Sequence, residues 1–437
     1  MRKIILFLLA IHCCGHLMRS QTSADLAISD LVNSGDYIRL NQRYEAARDS
    51  LLPFVATVSE AFIDYALNKP ERGVGSMSRL IDDYARDLGE SLPGFIILYA
   101  EQLYLTGRYG EAADKMRSLL EQSGKLKAPY DSEESLASLS VLYRTYAALR
   151  QTPPMRVRRM PAHSADVKLL ANVPMAKIGW TMPATIGRTE TQFVLDTGAP
   201  RCMMSDEIAR KAGVRIVADS IPVSGSGGTG CRYTRLGVID TLRIGPLECL
   251  NVPVSIADKD GILPRSIREA IGGDIEAILG INLMRSMGII EVAPGKGTIS
   301  FPETGESASP YPNLMIVNDS PSVEAYVGEQ RLLINFDTGG SAESAYIKPD
   351  FAKKHEAALK VSDQREMRGI GGFLGISQRS IRRLIDFSIR VGNKEMPLDD
   401  ALVGEGTATQ AGCLNLPYFN RMNKITFDFD RMTLTVQ

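Results

Sequence analysis

One short stretch occurs twice and limits what this chain can become. Phe193-Val194-Leu195-Asp196-Thr197-Gly198-Ala199-Pro200 is matched by Leu333-Ile334-Asn335-Phe336-Asp337-Thr338-Gly339-Gly340-Ser341, with the two aspartates 141 residues apart. Each is a strand-forming run that breaks off in Asp-Thr-Gly. The likeness continues upstream without a gap, since Gly187 and Gly328 each stand nine residues before their aspartate. A carboxylate at the end of a buried strand costs free energy unless it is hydrogen-bonded or used. Two of them in duplicated settings suggest a pair that meets.

The duplication runs further. Leu242-Arg243-Ile244-Gly245 parallels Ile389-Arg390-Val391-Gly392, 147 residues later. Ala277-Ile278-Leu279-Gly280-Ile281-Asn282 parallels Gly412-Cys413-Leu414-Asn415-Leu416, about 135 later. Thr298-Ile299-Ser300-Phe301 and Lys424-Ile425-Thr426-Phe427-Asp428 read as the closing strands of the two copies. From about residue 167, short Val-, Ile- and Thr-rich runs alternate with Gly, Pro and Asn, the pattern of an all-β region. Similar offsets in the same order predict two related lobes, 167–310 and 311–437, divided by a Pro/Gly/Ser-rich stretch.

The chain before this is of another kind. Residues 22–150 are rich in Ala, Leu, Arg and Glu with helical periodicity, which predicts an all-α domain of helical hairpins. Gly107-Arg108-Tyr109-Gly110-Glu111-Ala112 resembles the turn of a tetratricopeptide repeat, Gly35-Asp36-Tyr37 is a second candidate turn, and Gly73 lies between them. The gaps of 38 and 34 residues are near that repeat's period. A plain helical bundle with Gly between helices fits the same pattern. Residues 151–166 are proline-rich, basic and non-periodic, and read as an exposed linker.

Residues 1–21 read as an export signal: Arg2 and Lys3 precede an apolar run from Ile4 to Ile11 that is too short to span a bilayer. The protein is therefore expected to be periplasmic or extracellular, with no stable membrane span once the signal is cut. Cys13 and Cys14 raise a lipid-anchored form, against which the bulky His12 stands where a small residue is wanted. Of the remaining cysteines, Cys202, Cys231, Cys249 and Cys413, none forms a C-x-x-C pair. They read as buried small hydrophobes, with a disulfide such as Cys231–Cys249 open. A net charge of -1 gives no electrostatic case for nucleic acid.

With both Asp-Thr-Gly motifs, the glycine-rich stretches after each and Ile278-Leu279-Gly280 in view, residues 167–437 resemble the pepsin and retropepsin superfamily of aspartic proteases. The resemblance implies a bilobal all-β acid-protease fold of two related six-stranded lobes, preceded by the helical domain. It implies an aspartic endopeptidase acting on peptide or protein substrates. Asp196 and Asp337 would form the catalytic dyad, supported by Thr197, Gly198, Thr338 and Gly339. The two threonines would hydrogen-bond across the lobes. No cofactor, metal or covalent intermediate is implied. Both half-sites lie in one chain, so activity is expected from the monomer. The alternative is a non-catalytic peptide-binding or scaffolding protein with a protease-like cleft. In the protease, the helical domain is expected to recruit protein substrates or another protein partner, or in another reading to block the cleft as a prosegment.

Ser224-Gly225-Ser226-Gly227-Gly228-Thr229-Gly230 contains G-x-G-x-x-G, but that dinucleotide motif should open a helix and Cys231 to Ile244 reads as strand. About thirty residues after Asp196, it reads instead as a flap hairpin, with Gly225, Gly227 and Gly228 against substrate. Gly369-Ile370-Gly371-Gly372 stands at the equivalent place and is similar to retropepsin flap tips. Two departures from pepsins stand out. Ala199 and Gly340 follow the motifs where a hydroxyl residue is usual. Asn415 replaces Gly280, a change expected to be tolerated because Asn accepts positive φ.

Overall fold

A computed structural model describes residues 22–160, 166–168, 179–228, 230–258, 261–271, 274–305 and 311–437. The expected export signal lies outside these residues, as do 161–165 of the expected linker and Thr229. The chain divides into two compact units: residues to Pro154 with Met315–Asn318, and Met155–Leu314 with Asp319–Gln437.

The first unit is helical: α1 (Ser23–Ser34), α2 (Tyr37–Ala47), α3 (Pro53–Ala66), α4 (Pro70–Leu88), α5 (Leu92–Leu105), α6 (Tyr109–Glu121) and α7 (Glu133–Ala148). Each packs on the next in sequence. Thr22 opens α1 with a capping box, its hydroxyl accepting from Asp25 N while Asp25 accepts from Thr22 N. Asp25 also accepts from Leu52 N at 2.8 Å, which ties α1 to the start of α3. α3 is buried almost all round, and its Phe62 stacks on Tyr37 and tilts against Phe95. Gly35 and Gly107 end α1 and α5 at φ of 70° and 77°. Gly73 corrects the turn reading, because it lies inside α4. A Cβ there would stand 2.4 Å from Oε1 of Gln102, so the glycine serves close packing of α4 on α5. Among the described residues no helix is long and apolar enough to cross a membrane.

The second unit is β-rich. Its first part holds β1 (Arg156–Arg159), β2 (Asp166–Lys168), β3 (Trp180–Ile186), β4 (Thr189–Asp196), β5 (Cys202–Met204), β6 (Arg215–Val223), β7 (Arg232–Ile244), β8 (Leu247–Ile256), β9 (Ala277–Gly280), β10 (Ile289–Ala293) and β11 (Thr298–Ser300). β12 (Leu314–Val317) follows, with Met315–Val317 grouped in the first unit, and after it come β13 (Ser320–Val327), β14 (Gln330–Asp337), β15 (Ala345–Ile347), β16 (Lys360–Val361), β17 (Glu366–Gly372), β18 (Gly375–Ile385), β19 (Ser388–Val391), β20 (Lys394–Pro397), β21 (Leu402–Gly404), β22 (Gly412–Asn415), β23 (Ile425–Asp428) and β24 (Thr433–Val436).

One sheet runs β1-β8-β5-β9-β4-β3-β7-β6, another β2-β11-β10-β23-β24, and a third contains β16-β18-β21-β15-β22-β14-β13-β19-β20 with β17 on β18. The pairing scheme occurs twice. β4 runs parallel to β9 with Asp196 opposite Gly280, as β14 runs parallel to β22 with Asp337 opposite Asn415. Thr185 opposes Arg243 as Tyr326 opposes Arg390. These central strands carry long apolar runs because both their faces are covered. Trp180, Phe336, Phe419 and Phe427 are buried, and Phe336, next to Asp337, lies 5.6 Å from Phe427 and 6.0 Å from Phe419, centroid to centroid.

Three readings need correction. Arg156–Arg159, inside the expected linker, form edge strand β1 on β8, where Arg158 and Arg243 both pair with Glu248. The closing strands of the two copies correspond differently from the sequence alignment: each short helix after the apolar-apolar-Gly/Asn strand leads into a hairpin, so β23 answers β10 rather than β11. A Cys231–Cys249 disulfide is excluded. Cys249 opposes Leu242, eleven residues along β7 from Cys231, which is roughly 37 Å at the rise of a strand. Cys202, Cys231, Cys249 and Cys413 are free thiols, Cys231 exposed and the others buried.

Candidate active site

β4 and β14 stop at Asp196 and Asp337, and the loops that follow interlock. Thr197 N donates to Thr338 Oγ1 at 3.0 Å and Thr338 N donates to Thr197 Oγ1 at 3.0 Å. Thr197 Oγ1 donates to Phe336 O at 3.2 Å, and Thr338 Oγ1 to Leu195 O at 2.7 Å. Both threonines are buried, so each hydroxyl satisfies a donor and an acceptor of the opposite loop that would otherwise be orphaned.

The carboxylates are seated by backbone. Asp196 Oδ1 accepts from Gly198 N at 2.8 Å and Ala199 N at 3.1 Å. Asp337 Oδ1 accepts from Gly339 N at 2.9 Å and Gly340 N at 3.1 Å. Each carboxyl group also lies on the other loop's glycine. A Cβ on Gly198 would be 2.4 Å from Cγ of Asp337, and one on Gly339 would be 2.4 Å from Cγ of Asp196. Only glycine in each motif allows that approach.

Burial and this closeness together set the electrostatics. Burial raises the Asp196 carboxyl well above the ordinary carboxylate range, the Asp337 charge beside it adds to the rise, and a side-chain hydrogen bond with Asp337 adds again. The N–H groups of Gly198 and Ala199 pull the other way. Two carboxyl groups so placed favour sharing one proton.

The two halves differ just behind the pair. A Cβ on Gly280 would meet the backbone of Arg201 at 2.5 Å and the Ala199 carbonyl at 2.8 Å. In the other half Gly340 leaves the room: its Cβ would lie 2.8 Å from Oδ1 of Asn415. The pairs Ala199/Gly280 and Gly340/Asn415 thus exchange bulk. Positive φ has no part in it, since Gly280 and Asn415 are both extended, at φ of -90° and -110°. Asn415 Nδ2 reaches Glu343 Oε1 at 3.4 Å. Glu343 is buried and faces Arg368 at 3.6 Å; burial raises its carboxyl, Arg368 lowers it and Asp400 raises it.

The glycine-rich segments form the ends of two hairpins, and the ends touch. Leu374 N donates to Ser226 O at 2.9 Å. Gly225 packs on Phe373, Gly228 on Leu374 and Gly372 on Ser226. Gly227, at φ +89°, lies so close to Gly375 that a Cβ would fall 2.0 Å from its carbonyl oxygen. Gly371 lies against Ile267, whereas Gly369 and Ile370 sit lower in β17, opposite Gln378 and Ser377.

Arg232 escaped the sequence reading, because nothing marks one arginine at the foot of a glycine-rich turn. Its guanidinium donates to Asp258 Oδ1 at 2.8 Å, Gly261 O at 2.9 Å, Ile262 O at 3.1 Å and Phe373 O at 3.2 Å. It also lies 4.5 Å from the Phe373 ring centroid. On the other hairpin, Arg368 donates to Ala342 O at 2.8 Å, two residues past Gly340.

Among the described residues there is no group of three or more His, Cys, Asp or Glu side chains arranged to hold a metal ion. No curated protein matches the chain. A family model described as aspartyl protease matches residues 182–283, a span that holds Asp196, the first hairpin and Gly280 and ends before the second motif. The match supports an aspartic protease family and, with it, protease activity in general.

Proposed function

We propose that the chain is an aspartic endopeptidase of bilobal, pepsin- or retropepsin-like form, with Asp196 and Asp337 as its dyad. The observation that carries this reading is the seating of each aspartate on the other motif's glycine, together with an Asp196 carboxyl that burial raises and the neighbouring Asp337 raises further. In the singly protonated pair, the ionised carboxylate takes a proton from a water molecule, which attacks the peptide carbonyl carbon. The protonated carboxyl donates to the carbonyl oxygen, and the resulting diol then collapses with proton transfer to the leaving nitrogen. Thr197, Thr338, Gly198 and Gly339 hold the two carboxyls at this separation. The hairpin ends cover the peptide, with Gly225, Gly227, Gly228 and Gly369–Gly372 as the flaps. Both aspartates come from one chain, so the monomer is the active species. The tetratricopeptide-like helical unit recruits protein substrates, and the leader in residues 1–21 exports the protein to the periplasm or beyond the cell.

The test is peptide cleavage by the full chain and by Asp337→Asn. Turnover lost in the variant with its melting temperature kept supports the dyad; full turnover in the variant removes it.

A further inference from the structure

The β17–β18 hairpin carries an unusual charge arrangement on one face. Arg368 stands directly opposite Arg379, Ile370 opposite Ser377 and Glu366 opposite Ile381. Residues directly paired share a face, and alternate residues keep it. Ile381 is buried, so this is the inward face. Like charges directly opposite destabilise a hairpin unless something offsets them.

The available carboxylates do not divide evenly among the arginines of this face. Arg383 takes both oxygens of Glu366, at 2.9 and 3.2 Å. Arg368 has Glu343 at 3.6 Å. Arg379 donates to the main-chain oxygen of Glu405 at 2.8 Å and has no carboxylate partner among the described residues. Beside it, Ser377 Oγ is buried without a hydrogen-bond partner.

The face is tied to the Asp337 loop at two points. Arg368 holds Ala342 O and Glu343, and Glu343 holds Asn415, the residue opposite Asp337 in the sheet. The segment that receives Arg379 continues into Gly406, which packs on the Tyr346 ring, and Ala408, whose N–H donates to the Tyr346 hydroxyl at 2.8 Å. Tyr346 lies within reach of the Asp337 charge.

We propose that this face is a substrate subsite for an acidic side chain, with Arg379 as the group that takes the carboxylate and Ser377 Oγ as a second donor. The inference deepens the protease reading and rests on it for the identity of the ligand as a peptide. A guanidinium offers a planar pair of donors to a carboxylate, and an incoming Asp or Glu relieves the repulsion between Arg368 and Arg379. The substrates are therefore peptides with Asp or Glu at one fixed position on the Asp337 side of the cut bond.

The test uses the full chain and a positional library of fluorescein-labelled decapeptides carrying Glu, Gln or Lys at each position in turn. Binding is read by anisotropy on Asp196→Asn, and cleavage by mass spectrometry on the wild type. At one position Glu should bind about tenfold more tightly than Lys, the size of one charge-assisted hydrogen bond. Arg379→Glu should reverse that order, and Arg379→Gln, a milder change, should shrink the ratio toward one. Equal binding of Glu, Gln and Lys at every position, no binding of any peptide, or an order unchanged in Arg379→Glu would overturn the subsite. The two readings separate cleanly. Charge-selective binding with no cleavage by the wild type would sink the protease reading and leave the subsite standing, whereas cleavage without charge preference would sink the subsite alone.

Discussion

Gly198→Ala adds one methyl group at the most crowded point of the proposed dyad. That carbon would stand 2.4 Å from Cγ of Asp337 and 2.5 Å from each of its carboxyl oxygens. Ordinary contacts of such a carbon begin near 3.4 Å, so something must move by about 1 Å. Neither partner is free to move. Asp337 Oδ1 is held by two N–H groups, and Gly198 N is held by Asp196. A displacement of about 1 Å in a reacting group costs about 100-fold in rate, close to 2.7 kcal/mol of transition-state stabilisation. Forced overpacking should also lower stability by about 1–3 kcal/mol. The assay is kcat/KM on a cleaved peptide together with thermal unfolding. Gly339→Ala meets Asp196 at the same 2.4 Å and should behave alike. Wild-type kcat/KM and melting temperature in either variant would refute the seating of each carboxylate on the opposite glycine.

Thr197→Val or Thr338→Val leaves a buried N–H and a buried carbonyl of the opposite loop unpaired, and should lower unfolding free energy by about 2–4 kcal/mol in denaturant titration. Asp196→Asn should abolish turnover yet raise the melting temperature near neutral pH. The sign follows from linkage: a carboxyl raised in the folded state contributes fully below its unfolded value of about 3.9, and that contribution is lost as pH climbs through the folded value. The melting-temperature gain should therefore fade in acid. Activity should follow a bell with its best range at about pH 5–6.5, because Ala199 and Gly340 bring no hydroxyl to favour the ionised carboxylates. Ala199→Ser should move the acid limb of the pH–rate profile downward, and an unmoved limb would show that another donor sets it.

The core of the site could be read from the chain because its chemistry is local. A strand run ending in Asp-Thr-Gly states where a carboxylate leaves the sheet, and the 141-residue repeat states that it happens twice. The interlocking of Thr197 with Thr338 followed from family resemblance alone, since nothing in either motif says which loop it will face. Glycine-rich runs marked two hairpins, although Gly369 and Ile370 lie below the end of the second, and they did not show the contact between the ends, which depends on Ser226 O, Phe373 and Arg232, residues whose types are unremarkable in sequence. The misreadings share a cause. Repeat spacing suggests a turn at Gly73 and tolerance of positive φ accounts for Asn415, whereas their roles are spatial: Gly73 makes room for Gln102, and Asn415 fills the space that Gly340 leaves. Arg156–Arg159 lacked an apolar alternation, because edge strand β1 is held at Glu248 by charge.

The most direct measurement is cleavage of a diverse peptide mixture by the full chain, by Asp196→Asn and by Asp337→Asn, followed by mass spectrometry from pH 3 to 8 at roughly half-unit steps. If the two aspartates act as one unit, the wild type cuts peptides with a weakly acidic optimum, and both variants are silent at every pH while remaining folded. Cleavage by either variant at the wild-type rate would contradict it.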